Sequence, residues 1–194
     1  MKKIMFNDQY GLTQAVLDGR KTQTRRIAYE KPFKYNCNSG ICTEGKDKGK
    51  LIINDGYEIV AKSTYKIGEI VAVAQRYKYI PLTDEIFIGA GFSRGWLNKM
   101  FVKPSLMPHQ IKITSIRWER LQDISTDDCM KEGIFCSHIE GIDDAFSYDA
   151  TNDSFAKKWW YRTPIEAYKM LSCKLHLHWG NNPLVFVYDF KLVK

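Results

Sequence analysis

The pattern of apolar and polar residues along this chain predicts several short strands separated by a few short helices. Extended segments have alternating or continuous apolar residues, and they are expected at 2–6, 24–29, 51–61, 70–74, 110–121 and 184–193. Such strands, joined mainly by hairpins and loops, predict an α+β, mainly β, fold: a small closed mixed or antiparallel barrel with short flanking helices and loop insertions.

Three helices are predicted from spacing and capping residues. The first covers 9–18, with Leu12, Ala15 and Val16 inward, Asp8 as its N-cap and Gly19 in the left-handed position that ends it. The second begins after Ser125-Thr126-Asp127-Asp128, a near capping box, and Gly133 ends it. The third begins at Thr163-Pro164-Ile165-Glu166, because proline suits the first helical position.

Other segments are less regular. Within 110–121 the apolar alternation slips between Ile113 and Ile116, which indicates a β-bulge. Residues 135–155 show no clear period, and 155–161 is expected to be helical. We therefore predict one domain over 1–194, with insertions near 30–50, 80–108 and 135–175.

Charge and composition favour an anionic partner. The net charge is +7 and the isoelectric point is near 9.1, a balance typical of proteins that bind nucleic acid, although a merely basic surface gives the same totals. The five cysteines are odd in number and irregularly spaced. No apolar run approaches the roughly 20 residues that span a bilayer. We expect a cytoplasmic protein with free thiols and no membrane partner.

One basic turn, Leu17 to Arg26, carries the best candidate chemistry. A lysine whose pKa is lowered by burial or by neighbouring cations can activate a threonine hydroxyl, and Thr24 lies three positions after Lys21. Arginines in the same turn suit bidentate contacts to phosphate. A solvated basic turn without a ligand is the alternative. His176-x-His178 lacks a third ligand at a suggestive spacing, and neither a metal nor a cofactor is predicted.

The same turn resembles the signature of ASCH domains, which belong to the PUA-like superfamily. The pattern Gly19-x-Lys21-x-x-Thr24-x-Arg26 carries this resemblance. Three further segments are similar to the longer phage and bacterial members: Ile67 to Val73, Ile113 to Ile134, and Trp179 to Phe190. Together these segments cover about half of the chain in the family's order. The resemblance implies a PUA-like barrel whose cleft contains the basic turn.

The resemblance also implies three functional hypotheses. The first is binding of RNA, a nucleotide or a modified nucleoside by Gly19, Arg20, Lys21, Arg25 and Arg26. The second follows from similarity to amidohydrolases that deacetylate N4-acetylcytidine: their lysine and threonine fall on Lys21 and Thr24, and their downstream glutamate falls on Glu132. Thr24 would be the nucleophile and Lys21 the base. The third is a phage-associated interaction module without activity. The residues alone leave these alternatives, and the oligomeric state, open.

Overall fold

The computed structural model describes residues 1–29, 38–54, 58–81, 94–139, 142–148 and 160–193. Over these ranges the protein is mixed α+β, with mainly sheet and few helices. The helices are α1 (Leu12–Leu17), α2 (Thr126–Lys131) and α3 (Pro164–Lys174). The strands are β1 (Lys2–Ile4), β2 (Gln23–Tyr29), β3 (Asn38–Ile41), β4 (Leu51–Asn54), β5 (Ile59–Lys62), β6 (Ile70–Val73), β7 (Gln110–Arg120), β8 (Phe135–Ile139), β9 (Ile142–Ser147) and β10 (Leu184–Leu192).

The largest sheet has five strands in the order β1-β6-β7-β10-β2. Its β1–β6 pair is parallel and its other three pairs are antiparallel. Long β7 and β10 form its centre, where β7 bulges: Asp189 opposes Ser115, whereas Phe190 opposes Ile113. The bulge predicted from the slip in apolar alternation is therefore confirmed. Within the described ranges, no ladder joins β1 to β2, so the predicted closed barrel is not confirmed.

Two smaller sheets flank the first one. Strands β3, β4 and β5 form an antiparallel sheet. Strand β4 and all but the last residue of β5 lie in the segment 51–61 that was predicted to be extended, and residues 55–57 between the two strands lie outside the described residues. Strands β8 and β9 form a hairpin where the sequence predicted irregular structure, so that prediction was wrong. Tyr161 makes a bridge with Phe146 and is not helical; residues 155–159 of the helix predicted there lie outside the described residues.

Helix α1 begins later than predicted. Gly11, with φ 64°, is its N-cap, and the Asp8 carboxylate accepts a 2.5 Å hydrogen bond from Thr13 Oγ1 and a 2.6 Å one from Lys99 Nζ. Asp8 therefore does not cap the helix, because its side chain is held by these two groups. By contrast, Ser125 and Thr163 cap α2 and α3 as predicted, each accepting a backbone N–H bond three residues later.

The main core lies between the five-stranded sheet, the three helices and the β4–β5 hairpin. It is continuous, and α1 contributes Leu12, Ala15 and Val16 to it, as the helical spacing predicted. A smaller apolar cluster includes Tyr77 and Ile80. No helix in the described parts of the chain is long and apolar enough to cross a membrane. That residues 1–194 form a single domain stays a prediction.

Candidate active site

Main-chain hydrogen bonds join the basic turn to α1 and to α2. Gly19 has φ 74°, the left-handed conformation that glycine adopts without a Cβ penalty, and ends α1 as predicted. The Lys21 N–H donates to Ala15 O at 2.8 Å, and the Thr22 N–H donates to Lys131 O at 3.0 Å, at the end of α2. These bonds fix the backbone on both sides of Lys21 and direct its side chain into the protein.

The Lys21 ammonium is buried, with 2% of its surface exposed. Its Nζ donates to Gln23 O at 2.7 Å, to Glu132 O at 2.7 Å and to Glu132 Oε2 at 2.6 Å, so all three donors are used. Burial lowers the pKa of Lys21, while the adjacent Glu132 carboxylate partly opposes that effect. Lys21 and Glu132, which the family resemblance assigned to one site, are therefore in direct contact inside the protein.

Arg25 holds the other oxygen of Glu132. Its Nη1 donates to Glu132 Oε1 at 3.0 Å and to Gln23 Oε1 at 2.6 Å. Its Nε and Nη2 bond Glu119 at 2.9 and 2.6 Å, and Nη2 also bonds Asp128 at 3.0 Å. Burial alone would lower the pKa of Arg25, but the carboxylates of Glu132 and Glu119 outweigh it and raise the pKa.

This network extends across the sheet. Arg117 donates to Asp128 and, at 3.0 Å, to Asp189 on β10. Gln23 Nε2 also donates to Asp189, at 2.6 Å. The ion pairs thus join four cations, Lys21, Arg25, Arg117 and Lys131, to four carboxylates: Glu119, Asp128, Glu132 and Asp189. Lys21 and Arg25 are the buried cations of this balanced, hydrogen-bonded set, which fixes the position of each group.

Thr24 opens onto a cavity that Lys21 and Glu132 also line. The cavity volume is about 90 Å³, roughly that of three water molecules in the liquid. Leu12 and Leu177 form part of its apolar wall. Among the described residues, the Thr24 hydroxyl makes no hydrogen bond to another protein group. The structure therefore brings the three predicted catalytic residues to one cavity, with the hydroxyl available to a ligand.

The predicted ligand-binding arginines have three different environments. The guanidinium of Arg25 is fully enclosed by carboxylates, which leaves it little capacity to hold a phosphate. Arg26 is exposed, lines the same cavity, and donates from Nη2 to Met5 O at 2.6 Å. Arg20 is partly exposed, pairs with Asp18 at 3.1 Å and does not line the cavity. Gly19 has a conformational role in ending α1.

A second, larger cleft adjoins the cavity. It has a volume of about 640 Å³ and is open to solvent, and it lies between the segment after β1 and the end of α3. Asn7 and Leu175 line both spaces. The Asn7 Oδ1 accepts the Gln9 N–H at 2.8 Å, which leaves its Nδ2 as a donor at the junction. Together the two spaces form a small inner cavity with a nucleoside-sized entrance.

Several groups of this site were not predicted from the sequence: Asn7, Gln23, Arg117, Glu119, Asp128 and Asp189. A signal was present for two of them. Asp189 interrupts an apolar strand whose neighbours Val187, Tyr188 and Phe190 are buried, and an isolated charge in such a strand indicates a buried partner. Glu119 follows Arg117 by two positions on β7, so both project from one face.

The histidines and cysteines do not form a metal site in the part of the chain that the structure describes, since no three His, Cys, Asp or Glu side chains there are arranged to hold an ion. His176 and His178 lie in the segment that follows α3, and both have positive φ. Cys129 is buried on α2, and burial raises the pKa of its thiol to about 12. Cys37 lies outside the described residues.

Comparisons with protein-family models, with curated proteins and with solved structures found no match to this chain. The resemblance to ASCH domains therefore stays a prediction that rests on the residues quoted above.

Proposed function

We propose that this chain is an ASCH-type domain of PUA-like fold that binds a modified nucleoside or nucleotide and hydrolyses an acyl amide on its base, such as that of an N4-acylated cytidine. One observation carries the proposal: Lys21 Nζ contacts Glu132 at 2.6 Å inside a cavity that the unbonded Thr24 hydroxyl also lines. Amide hydrolysis needs a nucleophile, a proton acceptor and a group that stabilises the oxyanion, and Thr24 and Lys21, the latter held by Glu132, supply the first two.

The reaction has two balanced steps. In the first, Thr24 Oγ1 attacks the amide carbonyl carbon while its proton passes to Lys21 Nζ. The C–N bond then breaks, and Lys21 returns the proton to the leaving amine, so that the acyl group remains on Thr24 as an ester. In the second step, water adds to the ester carbon and its proton passes through Lys21 to the Thr24 oxygen. The products are the free amine and a carboxylic acid.

The surroundings of Lys21 support its role as the base. The reaction begins from the neutral amine of Lys21. Burial lowers the pKa of this lysine and therefore favours the neutral form. Loss of one proton frees an Nζ lone pair to accept the Thr24 proton, while two hydrogen bonds hold the amine in place. Arg25 pairs with the second oxygen of Glu132 at 3.0 Å, so this carboxylate is shared and does not hold the lysine proton alone.

The volumes of the two spaces support the substrate class. The inner cavity is the size of a small acyl group, and the adjoining cleft of about 640 Å³ is large enough for a nucleoside. Asn7 Nδ2 and the exposed Arg26 guanidinium are donors at the cavity, and either can stabilise the developing oxyanion. No metal is needed in this mechanism.

A second candidate function is binding without hydrolysis. The exposed Arg26 guanidinium at the cavity favours it, because such a group suits a phosphate of RNA or of a nucleotide. In that case we expect the affinity for RNA or for the nucleotide to fall as the salt concentration rises. The same affinity should also fall in Arg26→Met, and it should be unchanged in Lys112→Met, which removes an exposed lysine from β7.

The deciding experiment is incubation of N4-acetylcytidine with the wild type, Lys21→Met, Thr24→Val and the neighbouring control Thr22→Val, with cytidine and acetate measured by liquid chromatography and mass spectrometry. We expect release of both products by the wild type and the control alone. Absence of turnover by a folded wild type would exclude this substrate. Binding of N4-acetylcytidine without turnover would favour the second candidate.

A further inference from the structure

A separate cavity lies on the other side of α1 from the candidate active site. It has a volume of about 380 Å³ and lies between α1 and residues 75–79, which follow β6. Gln14 and Leu17 of α1 face Gln75, Arg76 and Tyr79 across it. It shares no lining residue with the cavity at Lys21. Neither the proposed hydrolysis nor the basic turn makes use of it.

Two polar groups at this cavity lack partners. Gln75 Oε1 and Arg76 Nε are both buried, and neither makes a hydrogen bond within the described structure. Buried polar groups are nearly always paired in folded proteins, so this acceptor and this donor, on consecutive residues, are left for water or for a ligand. A ligand that suits them presents a donor and an acceptor on neighbouring atoms, as the edge of a nucleobase does.

The charge at this cavity is positive. Asp8 contributes the carboxylate of its lining, and Lys99 Nζ already neutralises it at 2.6 Å. Arg76 approaches the same carboxylate only to 3.7 Å. Lys78 lies next to the cavity, with its Nζ 4.7 Å from the centre of the Tyr79 ring. After the Asp8–Lys99 pair is formed, the positive charges of Arg76 and Lys78 remain to attract an anionic group.

An exposed aromatic ring completes the arrangement. Tyr79 lines the cavity and is 63% exposed, which is unusual for a ring of this size. The Arg76 guanidinium carbon lies 5.8 Å from the centre of this ring. An aromatic face flanked by cations is the arrangement on which nucleobases stack while their phosphates are neutralised.

We propose that the cavity between α1 and residues 75–79 is a second binding site, for a planar heteroaromatic ring that carries an anionic group, with a nucleoside monophosphate as its simplest member. The ring stacks on Tyr79, its polar edge pairs with Gln75 and Arg76 Nε, and its phosphate lies between Arg76 and Lys78. This site does not depend on hydrolysis at Thr24.

The test is calorimetric titration of the protein with each of the four nucleoside monophosphates, the matching nucleosides and inorganic phosphate at fixed ionic strength. We expect at least one monophosphate to bind more tightly than both its nucleoside and phosphate. Gln75→Leu and Arg76→Met should each weaken it about tenfold, which corresponds to about 1.4 kcal/mol. Lys112→Met, which removes one exposed positive charge elsewhere, should leave the affinity unchanged.

Two further variants separate this site from the candidate active site. Lys21→Met and Thr24→Val should abolish hydrolysis and leave monophosphate binding intact, whereas Gln75→Leu should do the reverse. The proposal is overturned if no monophosphate binds, if phosphate alone binds as tightly, or if affinity is unaffected by both Gln75→Leu and Arg76→Met. Loss of binding in folded Lys21→Met or Thr24→Val protein would also overturn it, because the ligand would then occupy the other cavity.

Discussion

Lys21 holds Glu132 by its side chain and by its main chain at once, with Nζ 2.6 Å from Oε2 and 2.7 Å from the carbonyl oxygen. The two residues are 111 positions apart. Glu132 is the residue at which α2 ends, so the lysine also supplies a cation at the carboxyl end of that helix, where it is favourable. This contact links the candidate chemistry to the stability of the fold.

The first prediction concerns that stability. Glu132→Gln leaves the buried Lys21 and Arg25 without a shared carboxylate, and we expect the free energy of unfolding to fall by about 3 kcal/mol. The same substitution at Glu69, whose partner Lys2 has 43% of its side chain exposed, should cost less than about 1 kcal/mol. Urea unfolding followed by circular dichroism measures both values. Equal losses at the two positions would contradict a special role for the buried pair.

The sequence predicted the local structure of this site better than the contacts between residues that are far apart in the chain. The turn, the glycine that ends α1 and the capped α2 follow from short patterns, and the structure confirms each of them. That Lys21 and Glu132 belong to one site was predicted only through the family resemblance. The enclosure of Arg25 was not predicted at all, because its carboxylates come from one distant strand and one distant helix, whose packing no local pattern records.

For the fold, too, local elements were predicted better than the contacts between distant parts of the chain. Strands with strong apolar alternation, such as β7 and β10, lie where they were predicted. The β8–β9 hairpin was missed, because its polar and charged residues (Ser137, Asp143, Asp144 and Ser147) break the alternation that indicates a strand. The pairing of strands into sheets depends on contacts between distant residues, so barrel closure could not be decided from local periodicity.

The second prediction concerns the nucleophile. Thr24→Val keeps the shape of the side chain and removes the hydroxyl, and we expect kcat for N4-acetylcytidine to fall about 10³-fold or more. Thr24→Ser should retain measurable turnover because it keeps the hydroxyl. Stopped assays with product detection by mass spectrometry give these rates. A Thr24→Val enzyme as active as Thr24→Ser would exclude Thr24 as the nucleophile.

The third prediction is a dependence on pH. The reaction uses neutral Lys21, so kcat/KM should rise with pH and level off above the pKa of this lysine, which burial places below its ordinary value of 10.5. The cation of Arg26 also lowers this pKa. The inflection should therefore move to higher pH in Arg26→Met and stay in place in Lys112→Met. A rate that falls as pH rises through this range would require the protonated amine instead.

The fourth prediction compares two glycines with positive φ. A Cβ on Gly133, at φ 100°, would lie 3.3 Å from a Leu12 methyl and 3.6 Å from Lys21 Cβ, whereas a Cβ on Gly19 would meet nothing within 4 Å. Gly133→Ala should cost about 2 kcal/mol of unfolding free energy and Gly19→Ala about 1 kcal/mol. Thermal unfolding checks the order. Hydrolysis should also fall more in Gly133→Ala, since the added methyl group crowds Leu12, which lines the cavity at Lys21.

The fifth prediction concerns the thiols. Burial raises the pKa of Cys129 to about 12, so its thiol is protonated and shielded at neutral pH. Cys173 on α3 is exposed. Iodoacetamide followed by peptide mass spectrometry should label Cys173 in the folded protein, and Cys129 only in denaturant. Equal labelling of both thiols in the native state would mean that α2 opens readily.

The position of β2 in the large sheet has a consequence for synthesis of the protein. Its ladder partner in that sheet is β10, and Gln23 bonds Asp189 across 166 positions of the chain. A ribosome therefore exposes the basic turn long before it delivers the strand that fixes the turn in place. Until β10 has emerged, Lys21 and Arg25 belong to an unfinished sheet edge, where a chaperone or an anionic surface can reach them.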